Sequence, residues 1–303
     1  MSDTVLALMS GGVDSSVAAA VLVQQGLNVI GLTMKVWDEP EIESSDRRCC
    51  SVSSASDARR ICAKLNIPHY VSNVKAAFRK KVVEPFCSEY LAGRTPNPCI
   101  RCNTDIKFTV MLKKAKTLGA KYVATGHYAR ISFDAASHRY LLSKGKDSSK
   151  DQSYFLYDLT QEQLAQITFP IGNYTKSVIR RMARQLELIT ADKPESQEIC
   201  FVPGGDYRAL LNRLSPDKAE PGPIIHVNGE ILGTHSGIAN FTIGQRRGLG
   251  IAYARPLYVV GFDLARNAVL VGASEHVLAQ RLMAEKVNWI SCAELTGPIR
   301  ARA

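Results

Sequence analysis

Apolar and polar positions follow two rhythms along this chain, and the change between them divides it. In the first half, short apolar runs are each followed by a helical pattern. Val5 to Met9 predicts a strand, Ser15 to Gln25 a helix ended by Gly26, Asn28 to Met34 a second strand and Ala55 to Leu65 a second helix. His69 to Ser72 continues as a strand, Val74 to Leu91 and Asp105 to Leu118 as helices, and Tyr122 to Thr125 as a fourth strand. This βαβ alternation predicts an α/β fold: a parallel sheet with helices on both faces and ligand sites at the carboxyl ends of its strands. Tyr128 to Leu142, with polar turn residues at Asp134 to Ser137, reads as a hairpin, and Gln161 to Leu186 as a helical region. From about Pro216 the texture changes, and Pro and Gly punctuate short β-rich runs at Pro223 to Val227, Tyr258 to Phe262 and Ala268 to Val271. These predict a smaller, mostly β domain behind the first.

The first strand feeds Ser10-Gly11-Gly12-Val13-Asp14-Ser15-Ser16, which opens the first helix. Gly11 and Gly12 are expected to supply positive φ and to leave no Cβ in the way, so that successive N–H groups converge on an anion at the helix N-terminus. The loop lacks the Gly-Lys-[Ser/Thr] ending of a Walker loop and the Gly-x-Gly-x-x-Gly spacing of a dinucleotide turn. Asp14 would repel bare phosphate unless it caps the helix or acts through Mg²⁺. The plain alternative is an ordinary strand-to-helix turn with a serine or aspartate cap.

A length of 303 residues suits about two domains, and a formal charge of +10 points to a polyanionic partner, with nucleic acid ahead of an anionic membrane surface. Arg79-Lys80-Lys81, Lys113-Lys114-Lys116, Arg180-Arg181-Arg184 and Arg246-Arg247 are candidate phosphate contacts, each of which also reads as a solvated face. No apolar run reaches the length of a membrane span, and Met1-Ser2-Asp3 opens without a basic leader, so a cytoplasmic protein with no membrane partner is expected.

Of the eight cysteines, Cys62 and Cys87 fall in helical patterns and read as small buried hydrophobes. Cys99 and Cys102 lie in Gly93 to Asn103, whose glycine and two prolines predict an exposed loop between helices, with Arg94, Arg101 and Lys107 near the thiols to favour thiolate. Cys200 ends the irregular Pro194-Glu195-Ser196-Gln197-Glu198-Ile199 stretch. No second Cys-x-x-Cys completes a zinc site, and adjacent Cys49-Cys50 point apart. No metal site is expected from the chain, except that an iron–sulfur cluster on Cys99, Cys102 and Cys200 stays chemically open.

The Ser10 to Ser16 loop resembles the PP-loop of the ATP pyrophosphatases. Read with Gly31 to Trp37, Gly93 to Asn103, Ala124 to Tyr128, Lys150 to Tyr157, Ser196 to Phe201 and Gly244 to Gly250, the chain resembles the tRNA-specific 2-thiouridylases. That resemblance implies a PP-loop catalytic domain over 1–205 with tRNA-binding helices in its C-terminal part, a β-rich central domain over 206–290, and over 291–303 the start of a truncated C-terminal β-barrel. It implies ATP and Mg²⁺ as cofactors and ATP-dependent 2-thiolation of the wobble uridine in tRNAs for Lys, Glu and Gln. It assigns ATP to Leu8, Met9, Ser10, Gly11, Gly12, Val13, Asp14 and Ser15, with Met34 and Gly126 flanking the nucleotide. Cys200 corresponds to the persulfide-bearing residue and Cys102 to its partner nucleophile. Asn97, Pro98, Cys99, His127, Lys150, Asp151 and Gln152 correspond to positions that meet the target base or tRNA. Cys99 stands where the family pattern has an aspartate proposed to transfer a proton. A sulfur-relay protein or cysteine desulfurase is the implied donor, and another adenylating PP-loop synthetase is the alternative reading.

Overall fold

The computed structural model describes residues 2–37, 52–195, 199–215 and 220–301. Cys49, Cys50 and the Ser196-Gln197-Glu198 part of the last cysteine segment lie outside the described residues. Two compact units divide the chain, one formed by 1–81, 99–200 and 287–303, the other by 82–98 and 201–286.

In the first unit, β1 (Thr4–Leu8), α1 (Val13–Gln24), β2 (Asn28–Lys35), α2 (Val52–Lys64), β3 (His69–Asn73) and β4 (Tyr122–Ala124) form the βαβ framework. The sheet is wholly parallel, with order β3-β2-β1-β4-β7, where β7 is Ile167–Thr168. Strand β1 is buried almost throughout, Leu6 completely, as a strand covered on both faces must be. Helix α1 is apolar on nearly all sides, and its alanines let it lie close to the sheet and to α8 (Lys176–Gln185). Because β1 pairs with β2 on one side and β4 on the other, the crossovers diverge at the end of β1, opening a crevice there. A separate hairpin, β5 (Ala129–Asp134) with β6 (Arg139–Lys144), turns at the positive-φ residue His138.

Three sequence expectations change. The helix expected over Val74 to Leu91 is α3 (Lys75–Phe78), a π-helical stretch Arg79–Val83 and α4 (Glu84–Leu91). Pro85, in the first turn of α4, has no N–H for the ladder and crowds the turn before it, and the widened turn relieves that crowding. The expected loop to Asn103 ends early, because Pro98 opens a helix as α5 (Pro98–Arg101), which runs through the π-helical Cys102–Val110 into α6 (Met111–Thr117). A proline with no N–H and a fixed φ suits that first position. Cys99 and Cys102 are therefore helical neighbours one turn apart, and not loop residues. Lastly, the helical region expected over Gln161 to Leu186 is interrupted. Between α7 (Gln161–Leu164) and α8, the edge strand β7 pairs with β4, and a Cβ on Gly172 would meet the Ala129 carbonyl oxygen at 1.8 Å.

In the second unit, α9 (Tyr207–Leu214) precedes β8 (Gly222–His226), β9 (Ile231–His235), β10 (Tyr258–Asp263) and β11 (Ala268–Gly272), in the order β10-β11-β8-β9. Sequence patterning missed β9, whose ILGTH pattern leaves Ile231 exposed. Ile224, Val259, Val269 and Val271 form the buried centre. No helix among the described residues is long and apolar enough to cross a membrane.

Candidate active site

A cleft of about 280 Å³ opens at the carboxyl ends of β1, β2 and β4, lined by Leu8 to Ser15, Met34 and Thr125 to His127. At its base Gly11 has φ +68°, and a Cβ there would meet the Ser54 carbonyl oxygen at 2.2 Å. Gly12 departs from expectation. It is extended, with φ −104°, and is the N-cap of α1. Serine hydroxyls hold the turn: Ser15 Oγ and Ser16 Oγ donate to the Gly12 carbonyl at 3.1 and 2.7 Å, and the Ser10 N–H donates to Ser15 Oγ at 3.2 Å. Among the described residues no side chain caps α1 at Gly12, so its first N–H groups are left for an anion in the cleft.

Asp14 does not cap the helix. Its carboxylate accepts from the Tyr128 hydroxyl at 2.7 Å and from Lys176 Nζ at 2.7 and 2.8 Å. The same ammonium reaches Glu195 at 2.8 Å, and Glu195 also accepts from Lys150 Nζ at 2.8 Å. Five side chains from separated segments thus share one charge network. Burial disfavours the Glu195 carboxylate, but the hydrogen bonds and charges of Lys150 and Lys176 outweigh it and hold its pKa at about 2. Burial, then the Asp14 charge, pushes the Tyr128 hydroxyl upward, so it stays a donor. Lys193 lines the cleft as well, donating to the Gly11 carbonyl at 3.2 Å and to Asp57 at 2.8 Å.

These lysines bear on the expected Mg²⁺. Among the described residues, the two carboxylates lining the cleft, Asp14 and Glu195, are both paired with ammonium groups, so neither is open to a divalent ion.

His127 is buried, with Nδ1 2.6 Å from Thr125 Oγ1; burial and then the Lys107 charge lower its pKa well below the ordinary range, so it is neutral. Gly126 touches the start of α1, where a Cβ would lie 2.7 Å from both Asp14 C and Ser15 N. Gln152 lines the cleft and accepts from the Tyr128 N–H. Asp151 is consumed locally by the Gly145 and Ser153 N–H groups and the Ser153 hydroxyl.

Asn97, Pro98, Cys99, Cys102 and Cys200 are not among the residues lining this cleft. Pro98 is buried, Cys99 exposed, and Cys102 and Cys200 half-buried. Two of the cations expected to surround the thiols have other partners, Arg94 with Glu89 and Arg101 with Asp158. Among the described residues no three His, Cys, Asp or Glu side chains gather as metal ligands, so the three cysteines as placed do not fit an iron–sulfur cluster. Arg180 is likewise spent, on the carbonyls of Ala191 and Lys193. Cys62 and Cys87 are buried, as expected.

Sequence reasoning missed Lys176 and Lys193 and the cleft positions of Glu195 and of Lys107, which it places only beside the thiols. Lys176 follows Thr175 at a helix start that the continuous helical reading concealed, and Pro194-Glu195 read only as a linker.

Family models agree with this architecture: a tRNA methyl transferase HUP domain matches residues 3–204 and a tRNA methyl transferase PRC-barrel domain residues 208–273. A tRNA-specific 2-thiouridylase of Heliobacterium modesticaldum is 50% identical over 304 residues, covering 100% of this chain and 79% of its own. One from Thermoanaerobacter sp. is 52% identical over 297 residues, covering 97% and 82%. With the PP-loop cleft, the two matched family domains and 50% identity across 100% of this chain in agreement, the chain belongs to the tRNA-specific 2-thiouridylase family.

Proposed function

We infer that this protein is a sulfurtransferase that converts the wobble uridine of tRNAs for Lys, Glu and Gln to 2-thiouridine, with ATP as the activating substrate. The observation that carries the reading is the uncapped N-terminus of α1, which closes a lysine-lined cleft at the sheet's switch point. Family membership supplies the reaction class.

In this reading the phosphates lie over the turn of Ser10 to Ser15, with Met34 and Gly126 beside the nucleotide. Lys193 and Lys107 offset the triphosphate charge. The uridine O2 attacks the α-phosphorus and pyrophosphate departs, leaving C2 joined through oxygen to AMP. The terminal sulfur of a Cys200 persulfide adds to C2 and AMP leaves with the oxygen. Cys102 thiolate then attacks the inner sulfur of that adduct, forming a Cys102–Cys200 disulfide and releasing the thiocarbonyl; a thiol reductant restores both residues. In the variant order, Cys102 first attacks the persulfide and frees hydrosulfide, which adds to C2 instead. Neutral His127, with Asn97, Pro98, Cys99 and Lys150 to Gln152, forms the set for the target base and tRNA. The sulfur comes from a relay protein or a cysteine desulfurase, and the setting is the cytoplasm.

Anaerobic single turnover with unmodified tRNA, ATP and a persulfide donor tests this. Wild type is expected to yield 2-thiouridine and pyrophosphate together, while Cys200→Ala releases pyrophosphate without thiolation. Full thiolation by Cys102→Ala and Cys200→Ala variants would overturn the cysteine roles. Adenylation of a small molecule with tRNA left unchanged would overturn the substrate.

A further inference from the structure

The Gly244 to Gly250 segment belongs to the second unit, and the chemistry above gives it no task. Gly244, Gly248 and Gly250 all have positive φ, at 84°, 74° and 70°. The loop is nonetheless anchored: the Gly244 N–H donates to the Val259 carbonyl at 2.8 Å, the Val259 N–H returns to Gln245 at 2.9 Å, and the Gln245 side chain reaches the Arg247 carbonyl at 2.9 Å. With 251–257 it borders a pocket of about 470 Å³, whose walls include Arg246, Arg255 and Tyr253 above the buried Leu249 and Leu257.

Two features give that pocket a chemical preference. Neither Arg246 nor Arg255 has an ion-pair partner among the described residues, whereas Lys176, Lys193 and Arg184 in the first unit are all paired. Among the described residues no acidic side chain lines the pocket. In addition, Tyr253 is 43% exposed yet held, with one ring face stacked on His226 at 5.3 Å and 27°. A braced ring with an accessible face, flanked by uncompensated guanidinium groups, is a platform for a base with its phosphates alongside.

We propose that this pocket binds one unstacked nucleotide of single-stranded RNA, its base on Tyr253 and its flanking phosphates on Arg246 and Arg255. The proposal rests on the tRNA reading above and adds to it an RNA contact on the second unit that is separate from the cleft. Phosphate contact fixes position, and the aromatic face selects unpaired over paired nucleotides.

The test is fluorescence anisotropy of the full chain with an unmodified tRNA transcript across a KCl series, with ATP binding and thermal unfolding as controls. Tyr253→Ala is expected to weaken tRNA binding about tenfold, the scale of one lost base stack, with an unchanged salt slope, while Tyr253→Phe stays near wild type. Arg246→Ala with Arg255→Ala is expected to lower the slope of log K against log salt by about 0.7 per lost phosphate contact. If wild type binds tRNA and none of these variants differs, the pocket proposal fails and the thiouridylase reading stands. Losses from the arginine variants alone would reduce the pocket to a phosphate contact and overturn base stacking. If wild type does not bind tRNA at all, both readings fall.

Discussion

Lys176 holds together two carboxylates that would otherwise repel each other and the nucleotide, so its replacement should be among the most damaging single changes near the cleft. Its ammonium lies 2.7 Å from Asp14 and 2.8 Å from Glu195, with 12% of the side chain exposed. At an effective dielectric constant of about 20, each pair attracts by roughly 6 kcal/mol before desolvation is charged against it. Desolvation cancels most of this, and removing one partner from a buried pair costs about 3–5 kcal/mol because the other charge is left without compensation. Asp14 and Glu195 keep 30% and 27% exposure, so water can relieve part of that penalty. We therefore expect Lys176→Met to lower unfolding stability by about 2–3 kcal/mol. ATP affinity should fall with it, more strongly at low salt, because Asp14 then faces the triphosphate without its ammonium partner and Glu195 with Lys150 alone. Urea unfolding read at pH 7 measures the first effect and calorimetric titration at two ionic strengths the second. Adding Asp14→Asn to Lys176→Met removes the charge that has lost its only ammonium partner among the described residues, whereas Glu195 keeps Lys150, and should recover at least about 1 kcal/mol. A Lys176→Met protein within about 0.5 kcal/mol of wild type, with unchanged ATP affinity, would refute the reasoning, since that is the scatter of an ordinary surface substitution.

Other predictions follow from the same contacts. Gly126→Ala places a Cβ 2.7 Å from the backbone of Asp14 and Ser15, so it should displace the start of α1 and weaken ATP binding at least about tenfold, measurable by titration. Glu195 has a folded pKa of about 2 against an ordinary 4.5, so its contribution is complete above pH 4.5 and is lost as pH falls toward 2. Glu195→Gln should accordingly flatten the acid limb of a stability-versus-pH curve, and an unchanged limb would contradict the network. Burial raises the Cys62 thiol to about 11, while Cys99 is exposed; iodoacetamide at pH 8 should label Cys99 in the native protein and Cys62 only on unfolding, as peptide mapping would show.

The parallel sheet was readable because β1 and β2 are continuous apolar runs and α1 is apolar on nearly every side, a pattern that only burial between layers explains. The loop at Ser10 to Ser16 was readable for a local reason, as strand, glycines and helix start are adjacent in sequence. What escaped was set by distant partners. Asp14 gave no sign that a lysine 162 positions away would take its charge. Pro98 read as a loop signal, although proline also opens helices, and the helical placement of Cys99 and Cys102 turned on that choice. Strand β7 is only two residues long and exists because β4 offers it an open edge.

The central claim is that ATP activates a tRNA uridine in the PP-loop cleft and a cysteine then delivers the sulfur. The most direct measurement is single-turnover incubation of wild type with unmodified tRNA, [α-³²P]ATP and a persulfide donor without air, following AMP-linked tRNA, pyrophosphate and 2-thiouridine in the same reaction. The account predicts that AMP-linked tRNA appears before 2-thiouridine and decays into it, and that it accumulates when Cys200 is alanine. Thiolated tRNA formed without ATP cleavage, or ATP cleaved with no nucleotide ever joined to tRNA, would contradict it.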